Sequence, residues 1–316
     1  MTTPESPHRS YQGRVLPKQD EELVDQGLQF DITTLLDRRR VLALVGLGSV
    51  GALAACAETT SAGSSSTTGE STSGAAGASS SSTSTQAGSL TEIPEETAGP
   101  YPGDGSNGAD VLEQSGVVRS DIRSSFGEST TTAEGVPMTL TLKVKDLSAG
   151  GTPFVGVAVY VWHCDREGRY SMYSSGVESE NYLRGVQVAD DSGAVSFTSV
   201  FPACYPGRWP HIHFEVYPDE GSITDAGNAI ATSQVALPQD VSATVYGTDG
   251  YDSSANNLSQ VSLTSDNVFG DDGAVSQLAD VTGDVAKGYT VTLTVGVDTT
   301  TAAGGGGGMG APPARG

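Results

Sequence analysis

Basic residues are scarce in this chain of 316 residues: 16 Lys and Arg stand against 38 Asp and Glu, which gives a formal net charge of −22. A protein that binds nucleic acid needs a positive surface that neutralises phosphates. The charge balance therefore argues against a nucleic-acid partner. A large negative charge on an exported protein more often keeps that protein soluble.

Long apolar runs are lacking as well. The apolar stretch at residues 41–55 is too short to span a bilayer comfortably, but it fits the core of a signal peptide. The arginines at 38–40 before it resemble a twin-arginine export signal, and residues 53–56 resemble a bacterial lipobox. We therefore expect an exported protein, lipid-anchored through Cys56 to the outer face of the bacterial cell membrane. A short membrane anchor that is never cleaved is the alternative.

Two further segments have too little apolar surface to fold. Residues 56–90 are almost entirely Ser, Thr, Gly and Ala, which is typical of a flexible linker. The tail at 299–316 is rich in Gly and is expected to be disordered. With a signal region at 1–55, this leaves residues 91–298, enough for one domain with a sizeable core.

Helical periodicity is also missing from this domain. Strands separated at short intervals by Gly, Asp and Pro predict an all-β fold, a β-sandwich. Six segments have the alternating or β-branched composition of strands, and they are Met138–Val144, Val155–Trp162, Ala194–Thr198, His211–Tyr217, Ser233–Leu237 and Tyr289–Val297.

Histidine is rare too, with four in the chain, yet two of them are separated by a single residue. On a strand, this spacing places His211 and His213 on one face, about 7 Å apart along the backbone, with Ile212 and Phe214 on the other. Two neutral imidazoles on one face can bind the same metal ion. Tyr205, six residues earlier, would add a phenolate, a hard anionic ligand suited to ferric iron.

A second phenol comes from Tyr170, which follows a tight turn after a buried strand. Two phenolates bring two negative charges and two imidazoles bring none, so the set favours a trivalent ion over zinc. With one solvent-derived ligand, a five-coordinate Fe(III) site would be electrically neutral, which lowers the cost of burial. A strand tyrosine alone is more often an interior filler. The prediction therefore depends on the joint occurrence of all four residues.

Cysteine is limited to three residues. Besides Cys56 there are Cys164 and Cys204, and two cysteines in an exported domain favour a disulfide. Such a bridge would tie the segment of Tyr170 to that of Tyr205. Two unpaired buried thiols are the alternative.

Taken together, these segments resemble the intradiol ring-cleavage dioxygenases, the family of protocatechuate and catechol dioxygenases. The similarity runs from about residue 96 to residue 237 and includes a loop at 96–101. The segments that carry it lie at 118–122, 162–165, 168–170, 183–185, 202–206 and 208–214.

The resemblance implies a β-sandwich that binds non-haem Fe(III). Tyr170 would be the tyrosinate that stays bound, Tyr205 the one that leaves when a catechol binds, and His211 and His213 would complete the site. The implied substrates are a small aromatic diol and O2. The ring would open between the two hydroxyl-bearing carbons to give a muconate-type diacid.

Two more residues receive roles from the resemblance. Arg208 would stabilise negative charge that develops on the substrate carbon attacked by oxygen, and Gln234 would match the active-site glutamine. His163 is interpreted as structural. The loop at 218–232 offers no obvious pair of residues to bind a substrate carboxylate, so the identity of the catechol stays open, as does the oligomeric state.

Two other functions compete with this one. The chain could be a non-catalytic β-sandwich, a cell-surface binding module with a closed structural metal site. It could also be a copper or zinc hydrolase that uses the same pair of histidines. Tyrosinate-to-iron charge transfer would colour the protein red-brown, whereas zinc or an empty site would leave it colourless.

Overall fold

The computed structural model describes residues 90–301 and two short strands near the N-terminus, β1 (Ser10–Tyr11) and β2 (Arg14–Val15), which pair with each other antiparallel. The predicted export signal, the lipidated Cys56, the linker up to residue 89 and the tail after residue 301 lie outside the described residues.

One sheet of the domain has five strands. Its central strand pairs in parallel with the long C-terminal strand along one edge, and two antiparallel strands share the other edge. In chain order these strands are β3 (Pro137–Asp146), β4 (Thr152–Pro153), β7 (Ala194–Val200), β10 (Asp280–Asp284) and β11 (Gly288–Val297), with β10 hairpinned onto β11.

The other sheet has four antiparallel strands, β5 (Ala158–Trp162), β6 (Arg184–Val188), β8 (His211–Tyr217) and β9 (Ala231–Ala236). They pair in the order β6-β5-β8-β9. Every residue of β5, β8 and β9 is buried, because this sheet is covered on both faces.

Alternation along the strands builds two apolar clusters, one on each face of the four-stranded sheet. Leu140 of β3 packs with Phe197 of β7 and Phe214 of β8 in the main core between the sheets. Trp162 and Tyr217 belong to a second cluster on the outer face, together with loop residues. The odd-numbered residues of β8 share this outer face, and the candidate site is built there.

The predicted all-β architecture is confirmed, and all six predicted strands are present. His211–Tyr217 matches β8 at both ends, whereas the strand predicted from Val155 begins only at Ala158 because Gly156 adopts a positive φ of 84° in a turn. Five strands were not predicted, namely β1 and β2 near the N-terminus and β4, β6 and β10 in the domain.

Two short helices were not predicted either, α1 (Gln239–Val245) and α2 (Ser254–Leu258). Each is one to two turns long, too short to produce a recognisable helical period. Each buries only two residues, for example Ser242 and Val245 of α1. Among the described residues, no helix combines the length and the apolarity that crossing a bilayer requires.

Candidate metal centre

The two histidines of β8 lie side by side on its outer face, as their spacing predicts. His211 and His213 are 2% and 3% exposed, and their Nε2 atoms are 3.1 Å apart. Ile212 and Phe214 point the other way, into the main core. The strand therefore presents two buried imidazole nitrogens to one point.

Hydrogen bonding fixes which nitrogen of His211 is available. Its Nδ1 lies 2.5 Å from the carbonyl oxygen of Trp209. A carbonyl only accepts, so Nδ1 carries the proton and Nε2 presents a lone pair. The ring of His213 stacks on Trp162 with centroids 4.9 Å apart, and its buried Nδ1 has no partner among the described residues.

Both predicted tyrosines join these histidines, Tyr205 directly and Tyr170 through Tyr205. Tyr205 Oη lies 3.1 Å from His211 Nε2, and Tyr170 Oη lies 3.5 Å from Tyr205 Oη. The turn before Tyr170 is held by Asp165, whose carboxylate accepts the main-chain N–H of Glu167 and of Arg169. The structure thus brings the four candidate ligands together from two segments that are 35 residues apart.

The spacing of these donor atoms fits a single ion. Ligands that bind one metal at about 2.0–2.2 Å lie about 2.8–3.6 Å from each other when they subtend angles of 90–110°. The three donor-to-donor distances, 3.1, 3.1 and 3.5 Å, fall in this range. Within residues 90–301, no group of three or more His, Cys, Asp and Glu side chains is arranged to hold a metal ion. The set described here consists instead of two phenols and two imidazoles.

Burial sets the charge of each donor. Desolvation lowers the pKa of His211 and His213 well below 6.5, and the Arg208 cation lowers both further, so the imidazoles are neutral ligands. Desolvation raises the pKa of Tyr205 to about 12 and that of Tyr170 well above 10. The two phenols become phenolates only next to a strong positive charge, such as that of a ferric ion.

Arg208 and Gln234, both assigned from the resemblance, lie beside the histidines. Arg208 Nη2 donates to Gln234 Oε1 at 2.7 Å, and Arg208 Nη1 lies 3.4 Å from His211 Nε2. Gln234 is fully buried on β9, and its Nε2 donates to the carbonyl oxygen of Thr97 at 3.0 Å. All six predicted site residues are therefore contiguous.

Asp266 is a residue of this site that the sequence analysis did not find. Its side chain is fully buried and accepts from Arg208 Nε at 3.0 Å and from the N–H of Trp209 at 2.7 Å. Burial alone would lower the pKa of Arg208, but Asp266 and the phenols outweigh it and raise that pKa. The main-chain N–H groups of Val268 and Phe269 also donate to the Asp266 carboxylate. The change from polar to apolar residues between Asp266 and Phe269 is the only feature of the sequence that could have indicated this buried position.

Beneath the site lies Arg184, which is 1% exposed. Its five N–H groups donate to neutral oxygens only, those of Tyr101, Pro102, Tyr160 and Ser171. The guanidinium therefore ties the loop at 101–103 to the outer face of the sheet.

Replacing Arg184 with Met should lower the free energy of unfolding by about 3 kcal/mol or more, because several buried carbonyl oxygens lose their donor. Urea denaturation of the two proteins measures the difference. The matched control is Arg123→Met, since Arg123 forms a solvent-exposed pair with Asp121 and should contribute less than about 1 kcal/mol. Equal losses in the two variants would contradict this assignment.

The predicted disulfide is not formed: Cys164 and Cys204 are both buried and both free. Cys164 Sγ approaches the carbonyl oxygen of Ala203 at 3.7 Å, and Cys204 Sγ approaches that of Arg208 at 3.4 Å. The two sulfur atoms engage separate carbonyl groups instead of each other. Desolvation raises the pKa of Cys204 to about 12 and raises that of Cys164 as well, so both thiols are neutral.

His163 and the tryptophans have structural positions. His163 is buried, with Nε2 2.7 Å from Ser199 Oγ and Nδ1 2.8 Å from the carbonyl oxygen of Cys164. Burial lowers the pKa of His163 to about 4, so the ring is neutral. Trp209 is buried and donates through Nε1 to Leu237 O at 2.9 Å.

Comparison with known proteins gives three findings. Residues 118–219 match a family model described as Dioxygenase. A segment of 71 residues is 37% identical to chlorocatechol 1,2-dioxygenase of Rhodococcus opacus, covering 22% of this chain and 27% of that protein. The structure is similar to an intradiol ring-cleavage dioxygenase from Tetranychus urticae, with a TM-score of 0.55, 21% identity and coverage of 68% of this chain and 98% of the other.

These three findings cover different parts of the chain. The family match includes both tyrosines, Arg208 and the two histidines, but it ends before Gln234. The chain spans about a quarter of the length of the curated relative. At 21% identity, the structural similarity shows a shared fold.

Proposed function

We propose that the chain belongs to the intradiol ring-cleavage dioxygenase family, which the family match and the curated relative support, and that its domain is a non-haem Fe(III) enzyme acting on a catechol-type substrate. It opens the aromatic ring between the two hydroxyl-bearing carbons with O2 and gives a muconate-type diacid. One observation carries the proposal: the donor atoms of Tyr170, Tyr205, His211 and His213 lie within 3.1–3.5 Å of their neighbours in the set.

The composition of the set supports ferric iron. Two phenolates and two neutral imidazoles would leave a trivalent ion with one positive charge, which a hydroxide neutralises. When bound, Fe(III) would supply the Lewis acidity that holds both diol oxygens and makes the ring reactive towards O2.

Tyr205 has a second role, as a base. A catechol loses two protons when it binds through both oxygens, and Tyr205 Oη can accept one of them. Burial raises the pKa of this phenol to about 12, so its conjugate base is strong. Tyr170 is the more deeply enclosed of the two phenols, at 3% exposed, which suits a ligand that stays in place.

Arg208 provides positive charge where the substrate becomes negative. Asp266 and Gln234 engage its Nε and Nη2, so Nη1 is the nitrogen directed at the histidine pair. A preorganised cation of this kind stabilises charge that develops on the attacked ring carbon. Asp266 is thus a positioning residue.

Replacing Asp266 with Asn should lower kcat about 10-fold while KM for catechol stays near the wild-type value, because Arg208 acts on charge that develops during the reaction. Steady-state oxygen uptake measures both constants. Unchanged iron content of the variant would show that the metal ligands are intact. An increase in KM with an unchanged kcat would contradict the positioning role.

The function itself is tested by oxygen uptake with a panel of catechols, followed by ultraviolet absorbance and identification of the product. The expected product is a diacid in which both original hydroxyl-bearing carbons are carboxylates. A yellow semialdehyde, formed by cleavage beside the diol, would refute intradiol cleavage. A protein that binds diols without consuming oxygen would be a binding module instead.

We further propose that residues 1–55 direct export, that Cys56 carries the lipid anchor and that residues 56–90 tether a domain at 91–298. The sequence features of the signal and lipobox support this assignment. Cell fractionation tests it: the wild type should partition with membranes, and a Cys56→Ser variant should be released. Equal partition of the two would contradict lipidation.

A further inference from the structure

We propose that Trp162 is a positioning residue for the metal centre and holds the imidazole of His213 in the orientation in which its Nε2 joins the other candidate ligands. The inference rests on the proposed function, because it concerns a ligand of the same ferric site. Two observations carry it. The two rings form a parallel stack, and His213 Nδ1 has no hydrogen-bond partner among the described residues.

The two histidines of the site are held in different ways. His211 donates from Nδ1 to Trp209 O at 2.5 Å, and this bond fixes both the tautomer and the rotation of the ring. A histidine that binds a metal almost always has such an anchor on its second nitrogen. His213 Nε2 faces the ligand set, so its Nδ1 carries the proton, yet this buried N–H finds no acceptor within residues 90–301. A different contact must therefore orient the ring of His213.

The register of the four-stranded sheet supplies that contact. Trp162 is the last residue of β5 and pairs directly opposite His213 of β8. Side chains directly opposite each other on antiparallel strands are close enough to interact. The two rings are nearly parallel, with an interplanar angle of 8° and centroids 4.9 Å apart. His211 lies beyond the paired residues of β5, so it depends on its hydrogen bond instead.

Trp162 is itself held in place. It is fully buried, and its indole also stacks on Tyr160, with centroids 5.0 Å apart and an interplanar angle of 22°. The Tyr160 hydroxyl donates to Pro102 O at 2.6 Å and accepts from Arg184 Nη1 at 3.0 Å. Because the stack ends in a buried hydrogen-bond network, the indole presents a fixed surface to His213.

The main chain closes one edge of the His213 ring. Gly99 has a φ of 76°, and a Cβ at this position would lie 3.2 Å from His213 Cε1 and 3.8 Å from Nε2. The loop can approach the ring this closely because residue 99 has no side chain. His213 is thus enclosed by an indole at its face and by the backbone at its edge, and neither contact is a hydrogen bond.

The use of tryptophan at this position is informative, because its Nε1 is buried without an acceptor among the described residues. An unpartnered buried N–H lowers stability, and a phenylalanine would avoid that loss. Trp162 therefore contributes through its ring face. An imidazole that binds a cation becomes more positive, and an indole face attracts positive charge more strongly than a phenyl face does.

The test compares the iron affinity of the wild type with that of Trp162→Leu and Trp162→Phe, measured by competition with a ferric chelator and followed by visible absorption. Loss of a contact that orients a metal ligand weakens metal binding about 10–100-fold. Trp162→Leu should therefore bind iron at least about 10-fold more weakly, with a shifted tyrosinate-to-iron absorption. Trp162→Phe keeps a smaller aromatic face and should bind iron only about 3-fold more weakly.

Phe197→Leu is the matched control, because it truncates another fully buried aromatic side chain, in the main core between the sheets. Both leucine variants should unfold at a lower temperature than the wild type when the metal is absent. Only Trp162→Leu should lose iron affinity and change the visible absorption. The comparison separates the orientation of His213 from a general loss of packing.

The outcomes separate this inference from the proposed function. Wild-type iron affinity in Trp162→Leu, or an equal loss of affinity in Phe197→Leu, overturns the inference and leaves the function standing. If Trp162→Leu does not fold, Trp162→Phe decides alone, and wild-type affinity and absorption in that variant overturn the inference. A wild type that binds iron but consumes no oxygen with any diol overturns the function, while the variants still decide the role of Trp162. A wild type that binds no iron overturns both.

Discussion

The Tyr205→Phe variant should lose ring-cleavage activity by about 10³-fold or more while it remains folded. The substitution removes Oη, which lies 3.1 Å from His211 Nε2 and 3.5 Å from Tyr170 Oη. It thereby deletes both a proposed ligand and the base for one catechol proton. General-base catalysis alone contributes about 10²–10⁴-fold. The ring contact with His211, with centroids 5.5 Å apart, can persist in the variant.

Oxygen uptake with saturating catechol measures this loss, and thermal unfolding checks the fold. Tyr251→Phe is the matched control, since Tyr251 is a buried tyrosine of the main core whose hydroxyl donates to Phe201 O at 2.8 Å. It should lose about 1–3 kcal/mol of stability and keep its activity. More than a tenth of wild-type activity in Tyr205→Phe would contradict the role of its phenol.

The Arg208→Lys variant should have kcat lowered about 10²–10³-fold, the effect typical of removing one preorganised donor from a charge-stabilising site. Lysine keeps the positive charge that Asp266 requires, so the fold should survive. The planar guanidinium of Arg208 binds Asp266 and Gln234 and at the same time directs Nη1 at the histidines. The single ammonium group of a lysine cannot make these three contacts at once. Iron content should stay at the wild-type level.

Steady-state kinetics measure kcat for the Arg208→Lys and Arg169→Lys variants. Arg169 is the matched control because it adjoins Tyr170 but pairs with Asp165 and Glu167 on a partly exposed surface. Its substitution should cost less than about 10-fold. If the two variants lose activity equally, the loss is not specific to the geometry of Arg208, which would contradict its proposed role.

Local pattern was sufficient to predict most of the fold. Alternation predicted the centre of β3, because one face of this strand packs in the main core and its burial alternates along the chain. The alternation of polar and apolar residue types likewise predicted both ends of β8, although every residue of that strand is buried. The strands that were missed are short or carry little pattern: β4 has two residues, and β6 has a glycine at its second position. Their pairing depends on neighbouring strands, which a local window does not include.

The candidate site was predictable only in part. The shared face of His211 and His213 follows from strand geometry, whereas the approach of Tyr170 across 35 residues was expected because of the family resemblance. Asp266 lies 58 residues after Arg208 and is one of 38 acidic residues, so nothing local distinguishes it. The disulfide prediction was wrong because residue type and context do not show which carbonyl each thiol engages.

The central claim is that two phenol oxygens and two imidazole nitrogens hold one ferric ion. The most direct measurement is elemental analysis together with visible absorption of natively produced protein, compared with a Tyr170→Phe variant. We predict about one iron per chain and a red-brown tyrosinate-to-iron absorption that shifts or weakens in the variant. Protein without iron, or iron-loaded protein whose absorption does not respond to the loss of Tyr170, would contradict the account.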